Sequence, residues 1–304
     1  MNMRRFCLVA LMALASAGMV AAQEGGMAAL PFTRIDRNPR SSAFAGGGRA
    51  SVGAPGAWQA FGAAASLPFM EGMVDGALGF QLWEPNNEVD QTINIQGGAA
   101  VKFGSIGIAL GGAYQSGIPN GDFTPSDRLV SLGFAYGIGQ RISLGLNARY
   151  AAQSLAKDIS FSGFSFDLAV LGKITRELSA TLGVSTLGTP VASSGDTPFG
   201  QPTYAFAGLA WRQLFGTDHA LEGVLDGEYG FDGQFAGSVG AEYAFRNLVF
   251  VRAGYRLAGE YALLPSHLSL GLGFSYAGFR LDASFLTLNP MLGNTFSVAA
   301  GYRF

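Results

Sequence analysis

The stretch Ile142-Ser143-Leu144-Gly145-Leu146-Asn147-Ala148-Arg149-Tyr150 decides how the rest of the chain is read. Side chains of an extended strand alternate between two faces. Ile142, Leu144, Leu146, Ala148 and Tyr150 therefore share one face, and Ser143, Gly145, Asn147 and Arg149 share the other. A half-buried strand of a soluble sandwich turns a charged face to water. Here the second face carries small and polar groups with a single charge, so the apolar face suits lipid and the polar face an enclosed interior.

The same alternation recurs on both sides of this stretch. Period-two segments run near Val74–Trp83, Ile93–Phe103, Ile106–Tyr114, Leu129–Tyr136, Phe164–Val170 and Leu178–Val184. They continue near Tyr204–Arg212, Leu221–Tyr229, Phe235–Tyr243, Val249–Tyr255, Leu268–Phe274, Phe279–Phe285 and Phe296–Phe304. With Ile142–Tyr150 the count is fourteen, and bacterial single-chain barrels need an even number. Connections after even segments are short, as in Gly104-Ser105, Arg246-Asn247 and Ala277-Gly278. Most connections after odd segments are longer: Glu84 to Gln91, Ser116 to Ser126, Gln153 to Ser160, Gly188 to Pro202, Ala258 to Ser266 and Asn289 to Asn294. Gly230 to Gly233 departs from the rule. Short periplasmic turns and longer outer loops are the pattern of an outer-membrane barrel. Aromatic residues near segment ends suit interfacial girdles: Trp83, Tyr114, Tyr136, Tyr150, Tyr204, Trp211, Tyr229, Tyr243, Tyr255, Tyr276 and Tyr302.

Composition agrees. Of 304 residues, 49% are hydrophobic and 13% charged, with 45 Gly, 24 Phe and 10 Tyr. Globular chains carry about 25% charged residues. Beyond residue 22 no apolar run approaches the ~18 residues of a membrane helix. An apolar chain without such a helix satisfies its backbone in lipid only by closing a sheet on itself. The expectation is an all-β transmembrane antiparallel barrel at residues 73–304, and the weighed alternative is a soluble β-sandwich or solenoid.

Residues 1–22 read as a signal peptide: Arg4 and Arg5, an apolar run from Phe6 to Val20, and Val20-Ala21-Ala22 before Gln23. The run is too short for the ~20 residues of a membrane-anchoring helix, the alternative reading. The only cysteine, Cys7, would leave with it, so no disulfide is expected. Removing two of 19 basic residues leaves 17 against 21 acidic ones, a net charge of −4. That balance offers nucleic acid no basic surface. The expected location is the outer membrane of a Gram-negative bacterium.

Residues 23–72 do not alternate. They hold Pro31, Pro39, Pro55 and Pro68, the run Gly46-Gly47-Gly48, and apolar residues from Phe32 to Phe69. They are expected to fold inside the barrel mouth as a plug, or else to form an ordinary periplasmic extension. No Lys-Ser/Thr follows the glycines, so they are not a phosphate loop. The run Arg40-Ser-Ser-Ala-Phe-Ala-Gly46-Gly47-Gly48-Arg-Ala50, followed by Ala57 and Phe61 to Leu67, resembles the start of PorV/PorQ-type outer-membrane proteins of the FadL-like superfamily. Gly62-Ala63-Ala64 stands where that family has Asn-Pro-Ala. The resemblance implies a fourteen-stranded barrel with an N-terminal luminal segment. It further implies a role in type IX-like protein secretion or cell-envelope export, with secretion components as partners. The alternative is a FadL-like passive transporter of hydrophobic or small molecules, which should show a lateral wall opening or an apolar luminal pocket.

Catalytic parts are scarce. His219 and His267 stand near segment ends and read as solvated turn residues. No paired histidine spacing supports zinc, and no Gly-x-Ser-x-Gly elbow is present. No enzyme, metal or cofactor is expected. The polar constellation is luminal: Asp226, Glu228, Glu242, Arg252 and Arg256 face inward, with Arg280 on a later segment. Strands lie ~4.8 Å apart, so these charges can pair across the wall. They either brace a narrow lumen or line a permeation path and hold the N-terminal segment. Tyr302 and Phe304 close an alternating, aromatic-ended strand that resembles the signal read by the barrel-assembly machinery.

Overall fold

The computed structural model describes residues 28–84, 92–117, 119, 121–192, 198–260, 262–287 and 294–304. The expected signal peptide, the connection at 85–91 and the side chain of Trp83 lie outside the described residues.

Fourteen strands follow one another: β1 Val74–Glu84, β2 Thr92–Phe103, β3 Ile106–Ser116, β4 Ser126–Ile138, β5 Ile142–Ala156, β6 Ile159–Lys173 and β7 Leu178–Gly188. Then come β8 Tyr204–Phe215, β9 His219–Gly230, β10 Phe235–Phe245, β11 Val249–Ala258, β12 His267–Tyr276, β13 Phe279–Thr287 and β14 Asn294–Arg303. Each pairs antiparallel with its neighbours, and β1 pairs with β14 from Asp75 opposite Arg303 onward, so the sheet is a closed barrel. Closure leaves no sheet edge to be solvated.

The alternation is inverted as expected. On β9, Ala220, Glu222, Val224, Asp226 and Glu228 are buried, whereas Leu225 and Tyr229 face outward. On β5, Ser143, Asn147 and Arg149 are buried, and Leu144, Leu146 and Tyr150 are exposed. Outward leucines such as Leu78, Leu110, Leu132, Leu270 and Leu281 form the lipid-facing band. Among the described residues, no helix is long and apolar enough to cross a membrane.

Two sequence expectations need correction. The connection expected from Gln153 to Ser160 is nearly all strand. β5 and β6 each run 15 residues and leave only Lys157-Asp158 between them, with a register irregularity between Ser154 and Ala156. The serine-rich sequence hid this, because Ser fills either face of a strand without declaring it. Tyr204 belongs to no girdle: it shares the inward face of β8 with the buried Phe206.

Residues 28–70 lie against the inner wall. They contain a five-residue helix, α1 (Pro39–Ala43), capped by the Asn38 side chain, and short 3-10 turns at Pro31–Arg34, Ala57–Ala60 and Ala64–Phe69. Leu30 and Phe32 pack with Leu129, Ala151 and Val191 near the long-loop end. Ala60, Ala64, Leu67 and Met70 pack with Ala100, Ala109 and Ala135 toward the short-turn end. The segment therefore runs through the lumen and enters β1 at the short-turn end.

Candidate functional site: the luminal arginine cluster and its cavity

The close fit of the segment begins with residues that lack side chains. A Cβ added at Gly145 would lie 2.2 Å from the Ala65 amide nitrogen, and one at Gly107 would lie 2.4 Å from Leu67 Cβ. Gly254 and Gly271 likewise make room for Phe44 and Ala43. Gly48 adopts φ +89°, a conformation that favours glycine. That turn aims two successive amides at one carboxylate: Gly48 N–H donates to Asp226 Oδ2 at 2.6 Å and Arg49 N–H to Oδ1 at 3.2 Å.

Around this contact, arginines of the segment meet acids of β9 and β10. Arg40 donates from Nε to Glu242 Oε2 at 3.0 Å, and from Nη2 to Glu242 Oε1 and Glu222 Oε2, each at 3.1 Å. Its Nη1 donates to Ser51 Oγ at 3.0 Å, and Ser51 in turn bonds Glu222. Glu228 receives three guanidinium groups: Arg34 at 2.6 Å, Arg256 at 2.7 Å, and Arg49. Arg34 and Arg49 also lie over the Tyr204 ring, 3.7 and 5.5 Å from its centre. Burial alone would depress the Arg40 and Arg49 guanidiniums, but Glu242 with Glu222, and Glu228, hold them above their ordinary range. Both stay charged.

The luminal constellation expected from sequence divides in two. Arg252 pairs with Glu242 on the neighbouring β10 at 2.6 Å and, past β12, with Asp282 of β13 at 2.5 Å, and Arg256 pairs past β10 with Glu228 of β9. Arg280 sits apart, on Asp75 at 2.7 Å, where Arg303 also binds at 2.9 Å. Asp75 further accepts from the Ala57 amide at 2.9 Å, and Arg303 donates to the Pro55 carbonyl at 2.7 Å. This second cluster ties the segment to the β1–β14 seam. Arg34 and Arg49 were not expected in the site. The signal was available: the segment carries Arg34, Arg37, Arg40 and Arg49, while the inward faces of β9 and β10 carry Glu222, Asp226, Glu228 and Glu242.

Of the run Arg40–Ala50, Arg40 and Gly48 make the direct contacts described, and Gly46 and Gly47 carry the backbone past Arg256 and Asp226. Tyr302 and Phe304 close the chain at the short-turn end. Their rings meet edge-on, and the Phe304 N–H and C=O bond Val74 and Met73. His219 is exposed at the start of β9, 2.7 Å from the Tyr243 hydroxyl. His267 is not a solvated turn residue. It begins β12 with its ring buried and bonded to the Pro265 carbonyl at 2.8 Å. Among the described residues, no group of His, Cys, Asp and Glu is placed to hold a metal.

Between the segment and the wall lies a cavity of about 150 Å³. It reaches from Arg149 and Asp167, midway along the wall, to Leu264, Leu286 and Thr295 at the long-loop end. Trp58, Phe61, Tyr204 and Phe206 supply aromatic surface, and Arg34, Arg37, Arg49, Arg149 and Arg256 supply charge. The adjoining wall is irregular. The β6–β7 register passes from Phe166 opposite Leu187 to Leu168 opposite Val184, which leaves Ser185 and Thr186 opposite Asp167. Thr186 has φ +58°, and the Asp167 carboxylate accepts from the Thr186 amide and the Ser185 hydroxyl, each at 2.7 Å. A side chain thus replaces the backbone partner at this β-bulge.

By sequence alone, no protein family and no curated protein matches the chain. Solved structures match by fold. The CymD monoaromatic hydrocarbon channel aligns with TM-score 0.65 and 13% identity, over 89% of this chain and 98% of that one. The Ralstonia pickettii toluene transporter TbuX aligns with TM-score 0.63 and 11% identity, over 89% and 99%. A Pseudomonas aeruginosa FadL homologue aligns with TM-score 0.56 and 10% identity, over 88% and 98%. The chain has the FadL-like fourteen-stranded barrel fold of bacterial outer-membrane proteins.

Proposed function

We propose that the protein is a passive outer-membrane channel for small, ring-sized hydrophobic molecules. The observation that carries this reading is the cavity. Its volume of about 150 Å³ matches that of an engineered cavity that binds one benzene. It extends toward the long-loop end, while Ala60, Ala64, Leu67 and Met70 fill the short-turn end. A ligand entering from outside would stop beside the β6–β7 bulge, where backbone pairing is already interrupted and a lateral exit costs the fewest hydrogen bonds.

In this reading, residues 23–72 serve as the plug, the ion pairs hold it, and residues 1–22 are removed on export. The fold likeness to transporters favours this role over the secretion role, which the resemblance at Arg40–Ala50 placed first. Vesicles holding the purified protein should take up toluene faster than protein-free vesicles of the same lipid. Equal rates with and without the protein, for toluene and for other single-ring solutes alike, would refute the proposal. Recovery of a secretion translocon with the protein from membranes would instead restore the other role.

A further inference from the structure

The charge around the cavity does not balance. Arg34, Arg49 and Arg256 share one carboxylate, Glu228, and Arg149 has Asp167. Among the described residues, Arg37 has no carboxylate within 4.0 Å; it donates to the carbonyls of Ile35 at 2.8 Å and Phe32 at 3.1 Å. Asp226 adds one negative charge behind the Gly48–Arg49 backbone. Asp127 acts on Arg37 from beyond that distance, so five guanidiniums face four carboxylates. A fifth acid, Asp36, is one whose carboxyl burial pushes up toward the neutral form.

Arg37 is buried to 3% exposure, and burial with the repulsion of Arg149 draws its guanidinium down to about 10, so it still carries its charge at neutral pH. Each of the five keeps a buried N–H with no protein acceptor: Arg34 Nη1, Arg49 Nη1, and Nε of Arg37, Arg149 and Arg256. Water can satisfy an N–H group, but only an anion offsets a buried charge excess. Tyr204, Phe206 and Phe61 lie beside these groups, and guanidiniums already stack on all three rings.

We infer that the cavity binds a small aromatic carboxylate, its ring among Tyr204, Phe206 and Phe61 and its anionic group on the arginines, Arg37 foremost. The inference rests on the channel reading above and names the substrate class of the same site. The volume admits one ring or a short chain and is below the ~300–1,000 Å³ of pockets for larger ligands. A neutral hydrocarbon would fill the space but leave the charge excess standing.

The test is calorimetric titration of the full-length protein in detergent with benzoate, toluene and acetate, alongside vesicle uptake of benzoate and toluene. Benzoate should bind at least tenfold tighter than either acetate or toluene. Arg37→Gln should weaken benzoate binding at least tenfold and so remove that advantage. Arg34→Gln, on the more open side of the cavity, serves the same purpose if Arg37→Gln loses the heat-dependent gel mobility of a folded barrel. Acetate binding as tightly as benzoate would overturn the inference by making the cluster a simple anion sink. Toluene binding as tightly, with both variants silent, would overturn it and leave a channel for neutral molecules standing. Uptake of neither solute would defeat the channel reading itself.

Discussion

The segment inside this barrel is held in two different ways. From Ala57 to Met70 it lies against β2 to β6, where Gly98, Gly107, Gly111, Gly133 and Gly145 remove the side chains that would keep it off the wall. From Arg34 to Ser51 much of its hold on β9 and β10 comes through long guanidinium side chains on Glu222, Glu228 and Glu242. Glycine contacts bring backbone to backbone and leave no space between. Arginine side chains reach farther than a backbone contact does, and the cavity lies among them. Close packing fills the short-turn end along β2 to β6, and the ion pairs on Glu228 border the cavity.

The largest test of this contrast is on the ionic side. Arg40→Ala strips one guanidinium from both Glu222 and Glu242, and breaking a buried pair costs about 3–5 kcal/mol. Thermal unfolding in detergent should register that loss, and Arg40→Lys should recover only part, since one ammonium cannot reproduce the two-nitrogen grip. A melting temperature unchanged in Arg40→Ala would mean that the segment is held by packing alone.

On the packed side, Gly145→Val puts methyl groups where the Ala65 backbone now lies. Overpacking of this kind costs roughly 1–3 kcal/mol. It should lower the melting temperature and loosen residues 57–70 to limited proteolysis, while benzoate and toluene binding at the far end persist. Loss of binding as well would show the two regions to be one cooperative unit.

Arg280→Ala probes the seam cluster and should cost about 1.5–3 kcal/mol, the worth of a hydrogen bond to a charged group, because Arg303 remains on Asp75. It should slow the appearance of heat-resistant barrel during refolding more than it changes ligand binding.

The smallest effect concerns Asp36. Its carboxyl sits above its ordinary value because burial disfavours the charge, so the native state holds that proton more tightly than the unfolded chain does. Stability is therefore lost as pH rises through the folded value, and no penalty exists below the unfolded one. Asp36→Asn should melt slightly higher than the unaltered protein at neutral pH and equally at strongly acid pH. A lower melting temperature at both would mean that the bonds from Asn38 and Ser41 need the carboxylate.

The wall was legible because each strand declares its two faces locally. Ile142 to Tyr150 needs no partner to show which side meets lipid, and the buried and exposed residues of β5 follow it. Legibility failed where a residue suits both faces. Tyr204 could end a girdle strand or enter the lumen, and only the register of β8 against β9, with Tyr204 opposite Gly230, settles it. The serines from 154 to 162 hid the length of β5 and β6 for the same reason. In the luminal site, Asp226, Glu228, Glu242, Arg252 and Arg256 were legible as inward residues of adjacent strands. Their partners Arg34, Arg40 and Arg49 stand 177 to 202 positions away in sequence, a distance over which alternation carries no information.

The sequence by itself determined that a chain of alternating faces, charge-poor and rich in glycine, closes a sheet against lipid, since every backbone group there needs a protein partner. Only the tertiary structure decided what fills the barrel and where it stays open. Which arginine meets which acid, and which glycine lets the backbone pass, depends on how a non-repeating segment threads the closed wall. That path is set by steric fit and charge balance summed across the whole lumen, not by any local run of residues.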